Sequence, residues 1–211
     1  MKFKYRKPCL RTRKIISITC MILCIVTLSG CAFLPDFTNT TNNDISEEKA
    51  SGQITIGSHL TIQNTDERMT LSEHMDALSA DGLYYASWVA GDSAPYENSD
   101  GESVTLYDAQ LYLLAGEFKS AEAAQENMDS WLAAGKSNYE IIKEESIDCN
   151  GQSYVLITYH FTNTENPYDH GVSVFGIYED MAVCMELTCV EDYPEDLQQM
   201  LSGFLENCTY Y

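Results

Sequence analysis

Ile147-Asp148-Cys149-Asn150-Gly151-Gln152-Ser153-Tyr154 decides the fold of this chain. Asn-Gly accepts the positive φ angles of a two-residue turn, and strand-like segments flank it at 139–148 and 153–161, so the stretch predicts an antiparallel hairpin. A second hairpin is expected around Glu179-Asp180, joining strands at 172–178 and 181–190. In its second strand Val183, Met185, Leu187 and Cys189 alternate with Cys184, Glu186 and Thr188, the period of a half-buried strand.

Upstream of these hairpins, residues 54–56 and 60–62 read as short strands around Gly57-Ser58. Residues 83–90 and 106–118 read as longer strands separated by a polar loop over 91–102. Three helices are expected. Thr70-Leu71-Ser72-Glu73 has the form of a capping box, Leu71, Met75 and Leu78 follow at helical spacing, and Gly82 would stop the helix. Ser120 caps the second, which buries Ala124, Met128, Trp131 and Leu132 and closes at Gly135. Pro194 opens the third, with Leu197, Met200, Leu201, Phe204 and Leu205 as one apolar stripe. The expected fold class is therefore α+β: an antiparallel sheet of about six strands with three helices packed on it.

This order of elements resembles the PsbP-like α/β/α sandwich, found in several exported lipoproteins and in a photosystem extrinsic subunit. The residues behind the resemblance are 147–154, which enter a long strand, and the closing amphipathic helix over 197–205. It implies one α+β domain and, by analogy, a structural or secretion-assisting role. It transfers no functional residues.

The N-terminus states an address. Lys2, Lys4, Arg6, Lys7, Arg11, Arg13 and Lys14 precede an apolar run over 15–30, and the first acidic residue is Asp36. A basic segment, a short apolar segment and small residues make a secretory signal. The run falls short of the roughly 20 residues of a stable membrane span. Leu28-Ser29-Gly30-Cys31 resembles the lipobox of bacterial prolipoproteins, in which the cysteine thiol receives a diacylglycerol and becomes the first residue after cleavage. The expected organisation is a signal peptide over 1–30, a flexible tether over 31–53 from lipidated Cys31, and a single globular domain over 54–211. This places the protein on the extracytoplasmic face of the cell membrane, held by its lipid. Firm retention needs more than one acyl chain, such as an added palmitate.

The full chain carries a net charge of −20. All seven basic residues of the signal segment are lost on cleavage, leaving Lys49, Arg68, Lys119, Lys136 and Lys143 against 32 acidic residues. So few cations cannot neutralise a phosphate backbone, which excludes a nucleic-acid partner, and they form no basic patch for anionic lipid. The acidity suits a basic protein or peptide partner, or serves only to keep an exported domain soluble.

Cys149, Cys184, Cys189 and Cys208 remain after Cys31. Outside the membrane an even number fits two disulfides, and four cysteines allow three pairings. A last helix running back antiparallel to the preceding strand favours Cys184–Cys208, leaving Cys149–Cys189; an anaerobic habitat would leave all four reduced. No Cys-x-x-Cys marks a metal site.

No catalytic motif and no cofactor signature is found. Gly171-Val172-Ser173-Val174-Phe175-Gly176 lacks the spacing of a nucleophile elbow. Setting Gly101 at the sixth position of a calcium loop puts Tyr96 and Tyr107 where carboxylates are required. Of the four histidines, His160 and His170 bracket a loop that holds Tyr168 and Asp169, and with Glu165 they form the candidate acid/base or metal site. Tyr96 and Tyr168, in expected loops, are candidates for exposed contact. The leading expectation is a non-catalytic binding or accessory module. The alternative is a metal-dependent hydrolase of envelope material using His160, His170 and carboxylates.

Overall fold

The computed structural model describes residues 52–78, 82–97, 101, 103–164 and 166–211. The expected signal peptide, the lipobox, nearly all of the tether, and Glu165 lie outside these residues. Among the described residues the chain folds as ten strands and two helices. These are β1 (Gln53–Ile56), β2 (Leu60–Gln63), β3 (Thr70–Leu78), β4 (Leu83–Glu97), β5 (Ser103–Glu117), α1 (Ala121–Asn138), β6 (Tyr139–Cys149), β7 (Gln152–Phe161), β8 (His170–Tyr178), β9 (Met181–Cys189), α2 (Leu197–Glu206) and β10 (Cys208–Tyr210).

Seven strands form one antiparallel sheet in the order β3-β4-β5-β9-β8-β7-β6. The remaining three form a small antiparallel sheet, β1-β2-β10. Alternation along the central strands sends residues to two separate cores. Met181, Val183, Met185, Leu187 and Cys189 join Trp88, Leu111 and Leu113 under α2 and the small sheet. Ala182 and Cys184 join Leu114, Ile157 and Phe175 under Trp131 and Met128 of α1. Because both faces are covered, β8 and β9 are buried along almost their whole length.

Asn150 at φ 51° and Gly151 at φ 78° make the tight turn that the sequence demands, and the flanking strands pair from Cys149↔Gln152 to Tyr139↔Phe161. Glu179, at φ 53°, turns β8 into β9. Ser120 Oγ caps α1 by accepting from the Ala123 N–H.

Four expectations are corrected. Residues 70–78 form β3, not a helix: Thr70 pairs with Val89 and Leu71 with Trp88, and irregularities follow Leu71 and Met75. An inserted residue breaks strict alternation, so the apolar positions 71, 75 and 78 imitate helical spacing. The expected loop over 91–102 is strand up to Glu97; Gly91, at φ 78°, sits in a bulge after which β4 resumes with Ser93↔Tyr107. Pro95 lies beyond Val89, where the pairing of β4 with β3 ends among the described residues, and prolines in strands are confined to such places. Gly135 does not stop α1, which runs on to Asn138. A Cβ on Gly135 would meet the Tyr139 ring at 3.0 Å, so the glycine lets that ring pack closely on the helix.

The fourth correction concerns the cysteines, all four of which are free thiols. Cys184 lies in the core beneath α1, and Cys208 in the core on the opposite face, so a Cys184–Cys208 bond would have to cross the sheet. Cys149 ends β6 while Cys189 ends β9, three strands away in the sheet order. Three strand spacings are about 14 Å, against the roughly 7 Å that a disulfide spans between Cα atoms.

Candidate functional site

His160 is the penultimate residue of β7 and His170 opens β8, and the two are direct partners across the ladder. His170 is in turn paired with Cys189 of β9. The antiparallel registers thus set His160, His170 and Cys189 side by side in one row. The loop over 162–169 is pinned where it rejoins the sheet. The Asp169 carbonyl accepts from Phe161 N–H, and Asp169 N–H donates to the Cys189 carbonyl, each at 2.9 Å.

That backbone places one carboxylate between two imidazoles. His160 Nδ1 and His170 Nδ1 each lie 3.0 Å from Asp169 Oδ2. The rings meet edge to face with centroids 5.5 Å apart. Side-chain exposures of 47%, 41% and 30% for His160, Asp169 and His170 leave the group open to solvent. One ligand atom from each residue falls within 4.8 Å of the others, close enough for a single cation to touch all three.

Cys189 adds a contact that the sequence reading did not weigh. Its Sγ is 3.2 Å from His170 Nε2. Cysteine, histidine and aspartate in series is the order of a nucleophilic triad. The geometry is different here. Sγ is also 3.9 Å from His170 Nδ1. A sulfur in line with the Nε2 lone pair would be far more distant from the second nitrogen, so the thiol lies over the ring face. Cys189 is fully buried. Burial, with the charge of Asp169, pushes its thiol up to about 12, the reverse of an activated nucleophile. Cys189 is a packing group beneath His170.

The remaining candidates are dispersed. Tyr168 is 2% exposed, and its hydroxyl donates to Gln110 Oε1 at 3.1 Å, which corrects its expected role as a surface contact. Tyr96 is a half-buried strand residue opposite Val104. A cavity of about 100 Å³ is lined by Ile54, Met69, Leu71 and Trp88, and a more open groove by Asp66, Arg68, Gln199 and Glu206; neither includes the histidines. Arg68 pairs with Asp66 and Glu195, Lys136 with Glu144, and Lys143 with Glu145.

The row of His160, His170 and Cys189 was within reach of sequence reasoning. A two-residue turn at Glu179-Asp180 fixes the register of β8 on β9, and with it the pairing of His170 with Cys189. No such signal marks a second cluster, Glu186 with Tyr139 and Tyr159, which comes from β9, β6 and β7.

No family model matches the chain, and no curated protein matches it. Among solved structures it is similar to cyanobacterial PsbP (CyanoP) from Synechocystis sp. PCC 6803. The identity is 14% and the TM-score 0.36, with 75% of this chain and 95% of that chain covered.

Proposed function

We propose that this protein is a lipid-anchored extracytoplasmic binding or accessory module without catalytic machinery. The observation that carries the reading is Leu28-Ser29-Gly30-Cys31 at the end of a basic-then-apolar segment. The domain that follows supports it. Its cations are few, and Arg68, Lys136 and Lys143 are already paired, so the surface suits a basic protein or peptide. The experiment is labelling with a traceable fatty acid. The wild-type chain takes up label and stays with membranes, and Cys31→Ala does neither. Label and anchoring that persist in Cys31→Ala would refute the reading. Partner binding that ignored added salt would remove the role given to charge.

The convergence of His160 and His170 on Asp169 favours a second reading, a metal-dependent hydrolase of envelope material. It requires turnover of an envelope polymer that vanishes in His160→Ala.

A further inference from the structure

We propose that His160, Asp169 and His170 bind one divalent transition-metal ion of the Zn²⁺ class. Two imidazole nitrogens and one carboxylate oxygen form a donor set suited to zinc and its neighbours. With metal–ligand distances of about 2.0–2.1 Å, neighbouring ligand atoms of a tetrahedral site stand about 3.3 Å apart. The two nitrogen–oxygen separations here are 3.0 Å, so those two edges need to open by only a few tenths of an ångström, and all three ligand atoms already lie within 4.8 Å of one another.

The backbone makes this arrangement inexpensive to hold. The histidines are paired residues on adjacent strands, and Asp169 is hydrogen-bonded through both its N–H and its carbonyl. Little backbone freedom remains to be lost on binding.

The same donor set discriminates among cations. Calcium takes six to eight oxygen ligands and magnesium keeps an oxygen-rich octahedron, whereas this cluster offers one carboxylate. Carboxylates elsewhere on an acidic surface would hold those ions weakly and without nitrogen ligands. The three side chains leave a fourth coordination position facing solvent, where water or a donor from a partner completes the shell. Cys189, buried and set against the ring face, takes no part in ligation.

The test uses the full chain, purified in detergent with its thiols reduced and titrated with Zn²⁺ alone and with Co²⁺ alone. Expected are one Zn²⁺ per chain, undisturbed by a large excess of Ca²⁺, and visible Co²⁺ absorption without a sulfur-to-metal band. His160→Ala, His160→Gln and Asp169→Asn each weaken binding at least tenfold while keeping the wild-type melting temperature, and Cys189→Ser leaves binding unchanged. Absence of Zn²⁺ binding at micromolar concentrations would overturn the proposal. So would displacement by Ca²⁺, unaltered affinity in the histidine and aspartate variants, or a sulfur-to-metal band that disappears in Cys189→Ser. The site does not depend on the lipid anchor: Cys31→Ala retains it, so failure of one proposal is distinguishable from failure of the other.

Discussion

Tyr139 and Tyr159 stack with ring centroids 3.6 Å apart and 12° between their planes, and both hydroxyls donate to the same oxygen of Glu186 at 2.5 Å. The carboxylate is thereby held beside the core under α1. Burial raises its pKa above the usual carboxylate value, and the two phenol hydrogen bonds only partly offset this. A folded-state pKa above the unfolded one gives stability that is present in full below the unfolded value and lost as pH rises through the folded value. Glu186→Gln keeps an acceptor and removes the charge. We expect it to raise stability at pH 7 by about 1 kcal/mol, or roughly 3 °C, and to flatten the pH dependence above the normal carboxylate range. Calorimetric melts across pH check this; a lower melting point at pH 7 would contradict it.

Glu117 works in the opposite sense. Its Oε1 accepts from the Ser58 N–H at 2.6 Å and from the Ser58 hydroxyl at 2.8 Å, while Oε2 accepts from the Tyr84 hydroxyl at 3.0 Å. Burial pulls its pKa upward, but these bonds outweigh it and hold the carboxyl below its usual value. The stability it contributes is present above the unfolded pKa and disappears as pH falls through the folded one. The carboxylate ties the β1–β2 turn to the end of β5. Glu117→Ala should cost about 1–2 kcal/mol. Hydrogen exchange should quicken in β1, β2 and β10 and stay unchanged in β8 and β9. Uniform acceleration across both sheets would show that the clamp is not local.

Asn150 serves two masters, a left-handed backbone and a fan of acceptors. Its Nδ2 lies 3.1, 2.9 and 3.1 Å from the carbonyls of Leu205, Glu206 and Cys208. Asn150→Gly keeps the turn and loses those bonds, at a cost of about 1 kcal/mol. Asn150→Ala loses both and should cost about 1 kcal/mol more, because left-handed φ penalises a Cβ. Denaturant midpoints of the two variants measure the difference; equal midpoints would remove the conformational part.

The thiols should react in a definite order. Cys149 is half-buried, whereas Cys184, Cys189 and Cys208 are buried. Burial raises the pKa of each, pushing Cys189 and Cys208 up to about 12. Alkylation of the folded protein, read by peptide mass spectrometry, should modify Cys149 first and the other three only on unfolding. Early labelling of Cys184 would contradict the packing described under α1.

The hairpins were legible because Asn150-Gly151 and the alternation along 181–189 are local signals, and local signals fix register. The stripe of α2 and the cap of α1 were legible for the same reason. The strand β3 was hidden by its own bulges, which turned a two-residue period into an apparent helical one. The disulfide expectation failed because it needed to know which face each strand position meets, and that depends on an order of strands that no local pattern records. The histidine pair was visible as a loop bracketed by two imidazoles. Its closure on Asp169 Oδ2 was not, since it depends on backbone hydrogen bonds to Phe161 across the loop and to Cys189 on β9, twenty residues further on.

The turn that organises the long hairpin also carries a clock. An asparagine followed by glycine is prone to lose its side-chain amide by attack of the next backbone nitrogen. Hydrolysis at Asn150 would exchange an NH₂ for a carboxylate facing the carbonyls of Leu205, Glu206 and Cys208, turning attraction into repulsion at the seam that holds the C-terminal segment. Chemical ageing of this domain would then begin at one residue and surface first as a loosened tail.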